Sequence, residues 1–349
     1  MIRSVLLTGT RAPVTLDLAR RLACEGIRVI GADCCRYPVG RFSPAFAAHY
    51  RVPPVRWQGD EWVEQLDIIV SREQIDVVWP TCEEVFHLSA RRERLSSPVL
   101  LPSDDVLLRL HHKLRFAQWT HEMGGDVTAP PSWEAREAPA GEPLIWKPKY
   151  SRFGTRVRTG PPPGDLEPWM AQRLSEGPEF CGWALCRDGE IYAATQYRCL
   201  VRAKRGAGYC FEPVWSGEVE TFMRRIVRLT NYTGSISFDF MGPDRDGRIF
   251  VLECNPRMTS GLHVLNPAIS LKRFLDDERE GAPTNQRNAQ IYLLTLLRAP
   301  RLADPRLDVM AGCSLLGQIA ALTELGAIAC RHGISLNEAA TWDLEYNGE

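Results

Sequence analysis

The apolar pattern of this chain changes character once, and that change constrains the fold more than any other feature. Over the first hundred residues, short apolar runs alternate with segments of helical spacing. Ser4 to Leu7 reads as a strand, Gly9 to Pro13 as a turn, and Val14 to Ala23 as a helix with Val14, Leu18 and Leu22 on one side. Ile27 to Ala32 is a second strand, ending at Asp33. Trp62 to Ile69 and Glu83 to Leu95 read as helices, and Asp76 to Trp79 and Val99 to Leu101 as strands. Strands alternating with helices imply a doubly wound parallel sheet with right-handed crossovers.

Ser103 is placed to cap a helix over Asp104 to Leu110, continued by His112 to Met123 and stopped by Gly124-Gly125. Beyond this point hairpins dominate. Phe180 to Cys186 and Ile191 to Tyr197 flank Asp188-Gly189, and Ser235 to Met241 and Arg248 to Glu253 flank Asp244 to Gly247. The expected division is a parallel-sheet unit over 1–105, an α+β unit over 106–270, and a segment over 271–349 packing on the core. In that last segment Val309 to His332 reads as a helix ended by Gly333.

Charge narrows the partners. The 42 basic and 43 acidic side chains leave a net charge of -1, which gives no general attraction to nucleic acid or an anionic membrane. The apolar run Met1 to Thr8 is too short for a signal-peptide core, and no stretch reaches the roughly 20 apolar residues of a spanning helix. The 11 cysteines are scattered without a paired Cys-x-x-Cys, which favours reduced thiols over zinc or disulfides and a cytoplasmic location.

The second hairpin carries the first chemical signal. Glu253 and Asn255 are two apart and share a strand face, and a tight hairpin brings Asp239 opposite them. Three oxygen donors without His or Cys suit magnesium; solvated acids on a surface hairpin are the alternative. Arg257, after Asn255-Pro256, can hold phosphate oxygens bidentately. Lys147 lies in an apolar strand and needs a counter-charge, which a nucleotide phosphate would supply. The loop from Lys149 to Arg156, with Ser151 and Gly154, offers main-chain amides, hydroxyls and basic side chains to a triphosphate. Glu179, after Gly177-Pro178, is placed to accept from ribose hydroxyls, or simply ends a turn. Arg198, Arg202, Lys204 and Arg205 lie next to Gly206 and Gly208, as a site for a substrate carboxylate or as a solvated loop. His263 is a further substrate candidate or a structural histidine.

Lys113, Lys147 before a loop with Gly154, the Glu176-Gly177-Pro178-Glu179-Phe180 turn, Asp239, and Glu253 with Asn255-Pro256-Arg257 occur in that order. This order resembles the ATP-grasp superfamily, in its carbamoyl-phosphate-synthetase-like and D-alanine–D-alanine-ligase-like branches, over roughly residues 1–270. The resemblance implies an N-terminal Rossmann-like unit before an ATP-grasp fold with a flexible lid at about 113–175. It implies that Lys113 and Lys147 contact nucleotide phosphates, that Ser151 and Gly154 lie in a flap over them, and that the backbone of Gln172, Arg173, Leu174 and Ser175 reads adenine. Glu179 would bind ribose, Asp239, Glu253 and Asn255 would hold magnesium (with manganese as the alternative ion), and Arg257 would steady the transferred phosphate. Phe153, and Gln172 and Arg173 where acids are common in the family, depart from its pattern and leave ATP against GTP open.

The activity implied is an ADP-forming carboxylate–amine ligase working through an acyl phosphate on amino-acid or peptide-like substrates. Partners would be a small-molecule carboxylate and amine, with a homodimer as the base expectation. Three other readings stand beside it: a carboxylate–thiol ligase or kinase-like enzyme on the same fold, a silent ATP sensor, and an NAD(P)-dependent oxidoreductase. The last rests on Gly9 after the first strand and Asp33 ending the second, but Gly9 is the only glycine of the fingerprint.

Overall fold

The structure, a computed structural model, describes residues 1–152, 156–202, 208–278, 287–291 and 307–348. Four parallel strands open the chain: β1 (Ser4–Thr8), β2 (Arg28–Asp33), β3 (Ala48–Arg51) and β4 (Val77–Trp79), ordered β3-β2-β1-β4. Every residue of β1 is buried. Val5 and Leu7 pack with Leu16 and Leu18 of helix α1 (Pro13–Cys24), and Leu6 packs with Trp62 and Leu66 of α2 (Gly59–Glu73) on the other face. A strand covered on both faces reads as an unbroken apolar run, as this one does. Strand order reverses between β1 and β4, so their carboxyl ends, at Gly9–Arg11 and Thr81–Glu84, form the crevice of this sheet.

Four local expectations are corrected here. The single helix over Glu83 to Leu95 is instead α3 (Glu84–Ser89) followed by a short 3-10 turn (Arg92–Arg94). The Glu84 carboxylate folds back to accept from the Thr81 and Cys82 amides and the Thr8 hydroxyl, which pins the helix start under the sheet. Val99 to Leu101 makes only one bridge, Val99 to Val78. The helix expected to run on past Leu110 is two helices, α4 (Asp104–His111) and α5 (Lys113–Met123). His112 is extended between them (ψ 103°), and its imidazole accepts from the Arg115 amide as a new N-cap. Ser103 precedes α4 without a side-chain capping bond.

Next come β5 (Val127–Thr128), β6 (Ser132–Glu134), β7 (Leu144–Pro148), β8 (Arg158–Thr159) and β9 (Trp169–Arg173). Four of them form an antiparallel sheet, β6-β9-β7-β8, over a small core of Ala135, Trp146, Trp169 and Ala171. Gln172 and Arg173, two of the four residues implied to read adenine, end strand β9.

The largest sheet has eight strands, ordered β16-β15-β12-β11-β10-β13-β14-β5. Its new members are β10 (Glu179–Arg187), β11 (Glu190–Arg202), β12 (Gly208–Pro213), β13 (Gly234–Met241), β14 (Ile249–Asn255), β15 (Ala289–Gln290) and β16 (Leu307–Asp308). Helix α6 (Gly217–Leu229) covers one face, with Phe222, Met223 and Ile226 against Phe238 and Phe240. The other face shares a core with α1, α7 (Gly261–Val264) and α8 (Leu271–Leu275). Helix α9 (Leu315–His332) begins later than expected, because Gly312 turns the chain (φ +76°) and Ser314 caps from the Gly317 amide. After α10 (Leu336–Ala339) the last residues run back onto the parallel sheet. No helix among the described residues is long and apolar enough to cross a membrane.

Candidate active site

The site forms where α5, the β6-β9-β7-β8 sheet and the β13–β14 hairpin meet. Asp239 pairs across the hairpin with Glu253, and Ser237 with Asn255, with a register shift just after Asp239. The hairpin thus places all three predicted oxygen donors together. Asn255 Nδ2 lies 3.4 Å from Asp239 Oδ2. Burial pushes the Asp239 carboxyl upward, and the neighbouring Glu253 charge adds to the shift. Burial acts on Glu253 in the same sense, but Lys113 and Lys147 outweigh it and hold Glu253 below its ordinary value. Two acids crowded in this way favour a cation, and an all-oxygen donor set fits magnesium.

Lys113 is the first residue of α5 and is only 5% exposed. A helix N-terminus disfavours a cation, so this lysine needs anions nearby. It donates to the Ser151 carbonyl at 2.8 Å and lies 3.1 Å from Glu253 Oε2. The helix break at His112 is what puts Lys113 there. Lys147 on β7 is also buried, and its ammonium donates to Gln172 Oε1 at 2.7 Å. Gln172 in turn donates to Ser132 Oγ at 3.0 Å. Burial pushes the Lys147 ammonium down to about 8; Glu253 opposes that shift and Lys113 adds to it.

Arg257 donates to Asn255 Oδ1 at 3.1 Å and lies 3.4 Å from Glu83 Oε1. Glu83 is 1% exposed and also pairs with Arg152. Glu179 faces Arg202 at 3.1 Å, so two residues singled out for different reasons meet each other. The turn before Glu179 needs its glycine. Gly177 has φ +132°, and a Cβ there would stand 2.9 Å from the Gly242 backbone.

Other predicted residues lie differently. The amides of Arg173 and Leu174 donate to the Pro131 and Pro143 carbonyls, so those two groups are not open to a base. Arg173 pairs with Glu142, and Leu174 is 41% exposed. Ser175 follows the strand end. His263 is 1% exposed and pairs with Asp17 of α1 at 2.9 Å, between the parallel sheet and the large one. Asp33, the acid of the dinucleotide alternative, is buried against Arg11 at 2.6 Å. Gly154 and Lys204 lie outside the described residues.

Sequence reasoning missed Glu83 and Arg152, and it assigned Gln172 by its backbone although its side chain holds Lys147. Two adjacent acids just past a parallel strand, in Pro80 to Glu84, were the available signal for Glu83. Two cavities of about 490 and 630 Å³ lie away from this cluster, beside the C-terminal tail and beside α9.

No family model and no curated protein matches the sequence. Solved structures do match. The biotin carboxylase domain of 2-oxoglutarate carboxylase from Hydrogenobacter thermophilus, in complex with MgADP and bicarbonate, is similar over 80% of this chain and 71% of its own, with a TM-score of 0.63 and 15% identity. An L-amino acid ligase from Bacillus licheniformis is similar over 75% of this chain and 69% of its own, with a TM-score of 0.56 and 16% identity. A Rhizobium etli pyruvate carboxylase is similar over 74% of this chain, with a TM-score of 0.58 and 16% identity, and this chain spans 26% of its length. At these identities the likeness is one of fold.

Proposed function

We propose that this chain, whose fold is the ATP-grasp fold behind a parallel-sheet unit, is an ATP- and magnesium-dependent ligase that converts a carboxylate to an acyl phosphate, releases ADP, and passes the acyl group to an amine. The observation that carries the reading is the convergence of two buried lysines, Lys113 and Lys147, on the Asp239–Glu253 pair beside Arg257. Two ammonium groups buried next to a paired-acid site have no structural need that a simpler core would not meet better. A triphosphate and a divalent cation satisfy both charge sets at once.

The geometry supports a role for each residue. Asp239, Glu253 and Asn255 would hold magnesium, which when bound neutralises phosphate charge. Lys113 and Lys147 would contact phosphate oxygens, with Gln172 aiming Lys147. Ser151, in the loop from Lys149 to Arg156, would lie over the phosphates and keep water from the acyl phosphate. Glu179 would take the ribose, with Arg202 steadying its carboxylate. Arg257 would steady the transferred phosphoryl group, where charge spreads over oxygens and positioned cations do most of the catalysis. The division 1–105, 106–270 and 271–349 is retained, with the lid in the second unit. The L-amino acid ligase among the similar folds supports an amine as the acceptor and an amino-acid or peptide-like carboxylate.

Product identity tests the proposal. Incubation with ATP, magnesium and pools of carboxylates and amines should release ADP only when a carboxylate is present. Glu253→Gln and Lys147→Ala should both abolish release. AMP and pyrophosphate as products would overturn the reading.

A further inference from the structure

Glu83 stands at the carboxyl end of β4, in the crevice where the parallel strand order reverses. Its side chain is 2% exposed and lies between two guanidiniums. Arg152, at the start of the loop from Lys149 to Arg156, pairs with Oε2; Arg257 lies 3.4 Å from Oε1. Arg152 is itself held from behind by the C-terminal tail. It donates to the Tyr346 carbonyl at 3.0 Å and lies 3.6 Å from Glu345, which also pairs with Arg56 at 3.2 Å. Tyr346 stacks on Phe86 with ring centroids 5.4 Å apart and meets Tyr150 edge-on at 6.3 Å.

We infer that Glu83 is a positioning residue for Arg257, joining it through Arg152 to the root of the phosphate loop, with the C-terminal tail as the brace of that joint. Arg257 uses Nε toward Glu83 and Nη2 toward Asn255, so its fork is fixed by two side chains from different parts of the fold. In the pairs described, three guanidiniums (Arg56, Arg152 and Arg257) share two carboxylates (Glu83 and Glu345). Of the Arg257–Glu83 pair, Arg257 is the more open member, its side chain 20% exposed against 2%. A carboxylate placed this way orients the arginine without cancelling it. The same root of the loop also meets Lys113, which donates to the carbonyl of Ser151, next to Arg152.

The inference rests on the ligase reading for its rate measurement, and it has a second readout that does not. In the full chain, Glu83→Gln should lower kcat about 100-fold while magnesium-ATP affinity stays within about threefold, the signature of lost orientation rather than lost binding. Glu83→Asp, which keeps the charge, should recover part of the rate. An unchanged kcat, or a fall in rate matched by equal loss of ATP binding and of folded protein, would overturn the inference. Should Glu83→Gln fail to fold, Tyr346→Ala removes the ring contacts with Phe86 and Tyr150 that seat the tail, while the carbonyl that accepts from Arg152 is kept; this loosening should lower kcat about tenfold with ATP affinity kept, and no change there overturns it. If the wild type turns over no carboxylate, the ligase reading fails and trypsin decides separately. With magnesium-ATP bound, cleavage after Arg152 should be about tenfold faster in Glu83→Gln than in wild type, as local opening would allow. Equal cleavage rates would overturn the inference on its own.

Discussion

Lys147 is where the chemistry of single residues is most testable. Burial pushes its ammonium down to about 8, against an ordinary lysine value of 10.5. Between those two values the unfolded chain holds the proton and the folded chain does not, so the unliganded protein gains stability as pH rises through that window. Nucleotide phosphates would favour the charged form. ATP binding should then take up a proton above about pH 8 and weaken as pH rises further. Calorimetry in two buffers of different ionisation enthalpy measures that uptake, and none at pH 9 would contradict the assigned contact. Lys147→Met should weaken magnesium-ATP binding by about 1.5–3 kcal/mol, the range for a hydrogen bond to a charged group. At this scale the sequence was informative where a residue's neighbours in the chain explain it. Asp239, Glu253 and Asn255 were legible because strand period and a short turn dictate their meeting. The partnership of Lys147 with Gln172 was not, because it needs the pairing of β7 with β9.

Among elements, the hairpins were read correctly because Asp188-Gly189 and the turn at Asp244 to Gly247 carry their own turn chemistry. The helix break at His112 escaped, since apolar spacing runs on through it and only the imidazole cap marks the new start. The C-terminal tail was expected to pack on the core, but the pair that anchors it escaped for a different reason. Its anchor, the Asp343 carboxylate on the Arg11 guanidinium, joins residues 332 apart, and no local pattern encodes such a pair. Asp343 is 0% exposed and Arg11 also holds Asp33, so this is a buried three-member ion cluster. Breaking such a cluster leaves charge uncompensated. Asp343→Ala should cost about 3 kcal/mol of stability, at the lower end for buried pairs because Asp33 remains. Urea unfolding measures it; a loss under about 0.5 kcal/mol, the size of a surface change, would mean the tail is a passive cover.

The molecule as a whole is joined more tightly than its change of sequence pattern suggests. One apolar cluster runs from Val5 and Leu22 of the parallel unit through Leu262 and Phe274 to Trp183 and Phe211 of the large sheet. Trp79 of β4 packs on Phe274 with ring centroids 5.6 Å apart, and His263 reaches Asp17 across the same junction. The proposed boundary near residue 105 rests on a change of sequence pattern, and no such pattern shows the side chains that meet across it. Thermal unfolding should therefore show the parallel sheet and the large sheet melting together. Magnesium-ATP at 100 times its Kd should add about 2.7 kcal/mol to that stability. Two separated transitions, with only the later one moved by nucleotide, would contradict the shared core. The central claim concerns the whole assembly: that a substrate carboxylate oxygen attacks the terminal phosphate of ATP. A carboxylate substrate labelled with oxygen-18 tests it most directly, by mass analysis of the phosphate released. The account predicts one labelled oxygen in inorganic phosphate for each product formed. Unlabelled phosphate, or label found in AMP, would contradict it.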